Sequence, residues 1–189
     1  LLEKITQSLA GRTAILHLLP FSSAELKSAG AYADDLDTVL YRGSYPPIFD
    51  RPVHPEDFYP SYIETYLERD LRTLKSIGDL SLFRKFLILC AGRTGQLLNM
   101  SALGNEVGVD HKTIRSWISV LEACFIVYLL RPYHRNWNKR VVKQPKLYFY
   151  DTGLLCSILG IKRKEDLAGH HLRGSIFENH VVSEQLKAQ

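Results

Sequence analysis

A mostly helical α+β fold is what the sequence predicts, and three observations predict it. Helical patterns fill most of the chain, and several open on a capping side chain and close on glycine. Runs rich in β-formers are few and short, at 13–19, 125–130 and 146–150. Between 99 and 150 the elements follow one another as helix, turn, helix, strand, strand.

That last stretch carries the most specific pattern. Ser101 to Val107 reads as a short helix with Ser101 as its N-cap, and Gly108 stops it. Val109 is a lone apolar residue in the turn. Asp110 then caps a second helix from His111 to about Cys124. Its apolar positions Ile114, Trp117, Ile118, Leu121 and Phe125 recur at the three- and four-residue steps of one buried face. Two short helices joined by a glycine-containing turn make a helix-turn-helix. The runs Phe125–Leu130 and Lys146–Tyr150 would be the wing of a winged helix.

Composition sets the limits. The chain has 189 residues, 46% hydrophobic and 23% charged, which suits one or two folded domains with a real core. A net charge of +4 permits a polyanionic partner without demanding one. Cys90, Cys124 and Cys156 stand far apart among apolar neighbours. With no CxxC pair, they read as buried free thiols of a cytoplasmic protein rather than zinc ligands or disulfides. No run reaches membrane-spanning length and no signal peptide is visible. Residue 1 is Leu, the only methionine is Met100, and Gln189 ends inside a helical pattern, so the chain reads as part of a longer protein.

Taken in order, Leu1–Ala10 has helical spacing and Gly11 ends it. Thr13–Leu19 is almost wholly apolar, as a strand buried on both faces would be, with its sheet partners expected to be missing. A helix is expected from Ala24 and another in the acidic stretch Asp34, Asp35, Asp37. Tyr41–Pro55 reads as an ordered connector anchored by Tyr45, Ile48, Phe49 and Val53. Phe58–Ile77 is the longest helix, supported by Glu68 and Arg72 four apart. Asp70 falls on its apolar stripe and calls for a buried partner; a catalytic role is the lesser reading. Asp79 caps a helix through Ala91 that would pack under the helix-turn-helix. Asp151 caps a short helix ending at Gly160, 161–169 is expected to be a charged surface turn, and Gly174–Lys187 is helical again, with Phe177, Val181 and Leu186 apolar.

No phosphate-binding GxxxxGK[ST], GxGxxG or GxSxG motif is present. His170, His171, Glu178 and His180 match no common metal spacing, and a solvated helix end accounts for them better. No autonomous active site, and no cofactor, is expected in this chain. The electrostatics say more. From Ala123 to Tyr150 there is no acidic residue. The same run carries Arg131, Arg135, Lys139, Arg140, Lys143 and Lys146, interleaved with Tyr133, His134 and Trp137. Basic residues release counterions from phosphates and aromatics stack on bases. On the second helix His111, Lys112, Thr113, Arg115 and Ser116 lie at or near the start, where a recognition helix reaches base edges. The expected DNA-binding set is His111, Lys112, Thr113, Arg115, Ser116, Arg135, Lys139 and Arg140. A solvated charged face, or a protein-docking or homo-oligomerisation module without DNA contact, is the alternative.

Several motifs taken together resemble the prokaryotic AAA-type P-loop ATPases whose C-terminal half is the domain of unknown function 4143. They are Ser8–Arg12 with Leu18–Ser22, Gly43 to Pro46, Tyr66–Leu71, Leu97–Asn99, Pro145-Lys146 with Phe149–Leu154, and Gly174 with Phe177-Glu178-Asn179. Arg42 stands where a second glycine is usual in that family. The resemblance implies an ATPase-domain tail at 1–22, a connector and long helix at 23–78, a winged helix at 79–151, and the start of a restriction-endonuclease-like core at 152–189. It further implies ATP and Mg in the parent protein, a nucleotide contact by Arg12, and a nuclease-like role for Glu178.

Overall fold

The computed structural model describes residues 16–70, 79–133 and 144–188, with only the backbone given at 67–70. The fold is mostly helical with one two-stranded antiparallel sheet. Helices α1 (Ser23–Ser28), α2 (Leu36–Arg42), α3 (Pro47–Asp50) and α4 (Pro55–Tyr62) come first. Then follow α5 (Leu80–Ala91), α6 (Met100–Val107) and α7 (His111–Ala123), strands β1 (Val127–Leu130) and β2 (Lys146–Phe149), and α8 (Thr152–Ile158), α9 (Lys164–Ala168) and α10 (Arg173–Lys187).

Polar caps start these helices. Ser22 and Glu25 form a reciprocal capping box on α1. Asp35, Asp79, Asp110 and Asp151 each accept first-turn amides of α2, α5, α7 and α8. The α6 cap is Asn99, not Ser101: the Asn99 side chain accepts from the Ser101 and Ala102 amides, and Ser101 lies inside the helix. The long helix begins at Pro55 rather than Phe58 and carries Pro60 in its interior. It continues as a π-helix over Ile63–Asp70. Proline is tolerated there because aromatic packing holds the segment: Phe58, Tyr62 and Tyr66 stack in succession along it. The rest of the expected helix to Ile77, and the side chain of Asp70, lie outside the described residues.

Two apolar stretches differ from expectation. Leu16–Leu19 belongs to no strand, and Leu16 and Leu18 are 85% and 95% exposed, as an apolar run without its sheet partners would be. Thr13–Ile15 lies outside the described residues, as does Leu1–Ala10. At the other end, 161–169 is not a plain surface turn. It forms α9, and Ile161 and Leu167 are buried in the core.

The three-helix unit α5–α7 has a tight aromatic centre. Trp117 of α7 meets Phe83 edge-on at 5.3 Å and Phe86 at 5.2 Å, both on α5. The α6–α7 turn needs its glycines. Gly108 sits at φ +97°, and a Cβ on Gly104 would stand 2.7 Å from the Val109 carbonyl. Past α7, Phe125 occupies the left-handed region at φ 54°. Its amide bonds Glu122 O and the Ile126 amide bonds Leu121 O, a helix end that glycine usually supplies. Its ring rests 4.9 Å from His17 and 5.8 Å from Tyr150, which offsets the backbone cost.

The sheet pairs Val127 with Phe149 through Leu130 with Lys146. A third arm joins it, because Leu97 bridges to Lys146 and the Leu98 amide bonds Pro145 O. Asn179 of α10, fully buried, clamps the helix to β2. Its Oδ1 accepts the Phe149 amide at 2.7 Å and the Thr94 hydroxyl at 2.8 Å, and its Nδ2 donates to Phe149 O. Phe177 and Val181 face outward instead, 43% and 44% exposed.

Helix α8 lies in the middle, packed by α2, α4 and α10. Its cap, Asp151, is 1% exposed. Besides the Leu154 amide, its carboxylate accepts the Ser44 amide at 2.6 Å and the Ser44 hydroxyl at 3.1 Å. Lys187 completes the junction, donating to Ser44 Oγ at 2.9 Å, Phe21 O at 3.0 Å and Glu184 Oε1 at 3.2 Å. Glu184 also accepts the Ser23 amide. Buried polar groups are costly unless bonded, and these are bonded throughout. Two glycines let the chain close on this point: a Cβ on Gly43 (φ +65°) or Gly153 would overlap the Tyr59 hydroxyl.

Candidate nucleic-acid interface

Helix α7 buries Ile114, Trp117, Ile118, Val120 and Leu121. The opposite edge is therefore turned to solvent, and it holds His111, Lys112, Arg115 and Ser119, all exposed. Thr113 and Ser116 are half-buried at the margin of this edge, a weaker placement than expected. Asp110 Oδ1 accepts the Thr113 amide at 2.7 Å, and that backbone hydrogen bond keeps the Asp110 carboxyl below its usual range. The one carboxylate at the start of the helix is thus committed to its backbone.

Arg115 and His111 touch. Arg115 Nη2 lies 3.2 Å from His111 Nε2, one turn apart on the same edge. The hydrogen-bonded contact leaves both side chains exposed. Ser119 Oγ donates to the Arg115 carbonyl.

The hairpin lies next along the chain. Arg131 and Tyr133 leave β1 exposed, Tyr133 by 84%, and Leu130 is 38% exposed. Arg135, Lys139 and Arg140, with Trp137, lie outside the described residues, as does Arg12. The structure thus brings the α7 positions together on one edge and leaves their relation to the expected wing contacts untouched.

Glu178 is engaged through one of its two oxygens. Its Oε1 accepts the Tyr148 hydroxyl at 2.6 Å and the Lys146 ammonium at 2.9 Å. These two bonds hold its carboxyl below the usual carboxylate range. The arrangement ties α10 to the edge of β2 and takes up the basic side chain of Lys146. His170 and His171 stack on each other at 4.6 Å. Among the described residues no group of His, Cys, Asp and Glu could hold a metal ion. No described helix is long and apolar enough to cross a membrane. Cys90 and Cys156 are buried free thiols, pushed up in pKa by burial, and Cys124 is free and half-buried.

Residues 33–165 match the model of a domain of unknown function, DUF8612. The chain belongs to the DUF8612 family. The DUF8612 match takes in the α5–α7 unit, the hairpin, and Gly43, Ser44, Tyr59 and Asp151 of the buried junction; it stops short of Asn179 and Lys187. The chain is also similar to the uncharacterised proteins Rv2008c of Mycobacterium tuberculosis and Mb2031c of Mycobacterium bovis. Each is 31% identical over 185 residues, 97% of this chain and 41% of the relative. The DUF8612 chain thus spans about two fifths of the length of the curated relatives it matches. No solved structure matches it.

Sequence reasoning missed Ser44, Tyr59, Asn179, Glu184 and Lys187. The one available signal was Asp151 standing alone before an apolar run, which marks an acid that the fold must bury and satisfy.

Proposed function

We propose that residues 79–151 form a winged helix-turn-helix that binds DNA, with α7 as the recognition helix and the β1–β2 hairpin as the wing. One observation carries the reading: the solvent edge of α7 gathers His111, Lys112 and Arg115, and the hairpin that follows it in sequence lacks acidic residues. The bridge between Leu97 and Lys146 supports it, since it supplies the short strand that precedes the helix-turn-helix in such an order of elements. ATP and Mg enter only as part of a longer protein, through a nucleotide-binding domain that this chain does not contain.

Phosphate contacts position a protein on DNA and base contacts specify. Replacing Lys139 and Arg140 with Ala weakens binding to all duplexes alike and flattens the log–log salt slope by about one per lost contact. Replacing Arg115 with Ala costs roughly 1–3 kcal/mol on a preferred site and little elsewhere. A salt titration with fluorescent duplexes separates the two. Absence of salt-dependent binding at low ionic strength, on single or double strands, sinks the reading.

One observation favours a second reading, a docking module that couples this region to a protein partner or another copy. Leu16 and Leu18 present an exposed apolar edge with no strand paired to it among the described residues. Under that reading the α7 edge is a solvated face.

A further inference from the structure

We infer that His111 is a positioning residue, which holds Arg115 in one direction so that the α7 edge prefers one base over the others. The inference rests on the DNA reading and reassigns His111 within it, from a contact to a brace.

The chemistry of the pair decides the roles. A guanidinium carries only donors. Arg115 Nη2 lies 3.2 Å from His111 Nε2, so Arg115 donates and the ring nitrogen accepts. A bond in this direction leaves Nε2 bare and places the ring proton on Nδ1.

The consequence is directional. A free arginine at an exposed position samples many rotamers, and immobilising it on a ligand has an entropic cost. An arginine already held along the helix loses less when it meets a base edge. Arginine specifies by its fixed fork, which can bond two acceptors of one base at once. Lys112 stands on the same edge without such a brace, and its ammonium is a compact charge with rotatable donors. Lys112 therefore addresses phosphate and Arg115 addresses a base.

Two measurements test this. The first uses the chain without DNA. Nitrogen NMR of the His111 ring should show the Nδ1–H tautomer with Nε2 bare. The Arg115 side chain should reorient more slowly than in the His111→Ala chain. Equal Arg115 mobility in the two chains overturns the brace, whatever the chain binds. The second selects duplexes from a randomised pool and compares each chain's affinity for the selected site with that for random duplex. Wild type and His111→Gln, whose amide oxygen is also an acceptor four residues before Arg115, should share one base preference. His111→Ala should lower the ratio about tenfold, the scale of one bidentate contact. A preference that survives His111→Ala overturns the inference. Binding of no duplex by wild type, with the brace intact in the first measurement, overturns the DNA reading itself and with it the role given to His111.

Discussion

Replacing Asp151 with Ala is expected to be the most damaging single change in this chain. Asp151 is 1% exposed and accepts from the Ser44 amide, the Ser44 hydroxyl and the Leu154 amide. The Ser44 hydroxyl links it to Lys187, whose side chain is 4% exposed and pairs with Glu184. Removing the carboxylate takes the acceptor from three buried donors, the Ser44 amide, the Ser44 hydroxyl and the Leu154 amide, and α8 loses its cap. Leaving a buried donor without its acceptor costs roughly 1–3 kcal/mol, and with several affected at once the loss is a large share of a domain's stability. Asp151→Asn should fall between, because its amide keeps an acceptor for Leu154 but turns a donor on the Ser44 N–H. Urea unfolding followed by circular dichroism reads both variants. A loss below about 1 kcal/mol for Asp151→Ala would mean that water reaches the junction and that the burial described above is wrong.

Gly43→Ala is expected to come next. At φ +65° a side chain is already strained, by roughly 1–2 kcal/mol. A Cβ there would also overlap the Tyr59 hydroxyl and stand 2.6 and 2.7 Å from the two Asp151 oxygens. Overpacking of this kind adds roughly 1–3 kcal/mol. A double-mutant cycle separates the contributions. Tyr59→Phe removes the hydroxyl and should recover part of the Gly43→Ala loss. It should recover little of the loss caused by Gly153→Ala, whose Cβ also meets ring carbons of residue 59. No recovery of the Gly43→Ala loss would show that the clash there is not with the hydroxyl.

Local chemistry made much of this fold legible. Asp79, Asp110 and Asp151 were readable as caps because a short acceptor stood directly before a periodic apolar run. Gly108 was readable as a stop because the pattern broke there. Asn99 and Ser101 are both good caps two residues apart, and propensity alone does not choose between them. The start at Pro55 was missed because proline reads as a breaker, although at the first helical position it is well tolerated. The short helix at 164–168 was hidden by its charges, since Leu167 alone anchors it.

The buried junction was illegible for another reason. Ser44 lies 107 residues from Asp151 and 143 from Lys187, and no periodicity links such positions. For the candidate interface, the exposed edge of α7 followed directly from its buried stripe. The contact between Arg115 and His111 did not, because it depends on rotamers and not on spacing alone.

The separations at the perimeter also shape how the molecule is assembled in time. Ser23 and Glu184 are joined across 161 residues, and Phe21 and Lys187 across 166. The Trp117 cluster with Phe83 and Phe86 is far more local. Closing a longer loop has a greater entropic cost, and that cost must be met before the contact rewards it. The α5–α7 unit is thus the part able to collapse early, while the seam between α1 and α10 is sealed last. A seam that closes late contributes little to the folding barrier and much to the unfolding barrier. The Ser44–Lys187 contact then acts as a kinetic latch, setting how long the native chain stays shut more than how fast it forms.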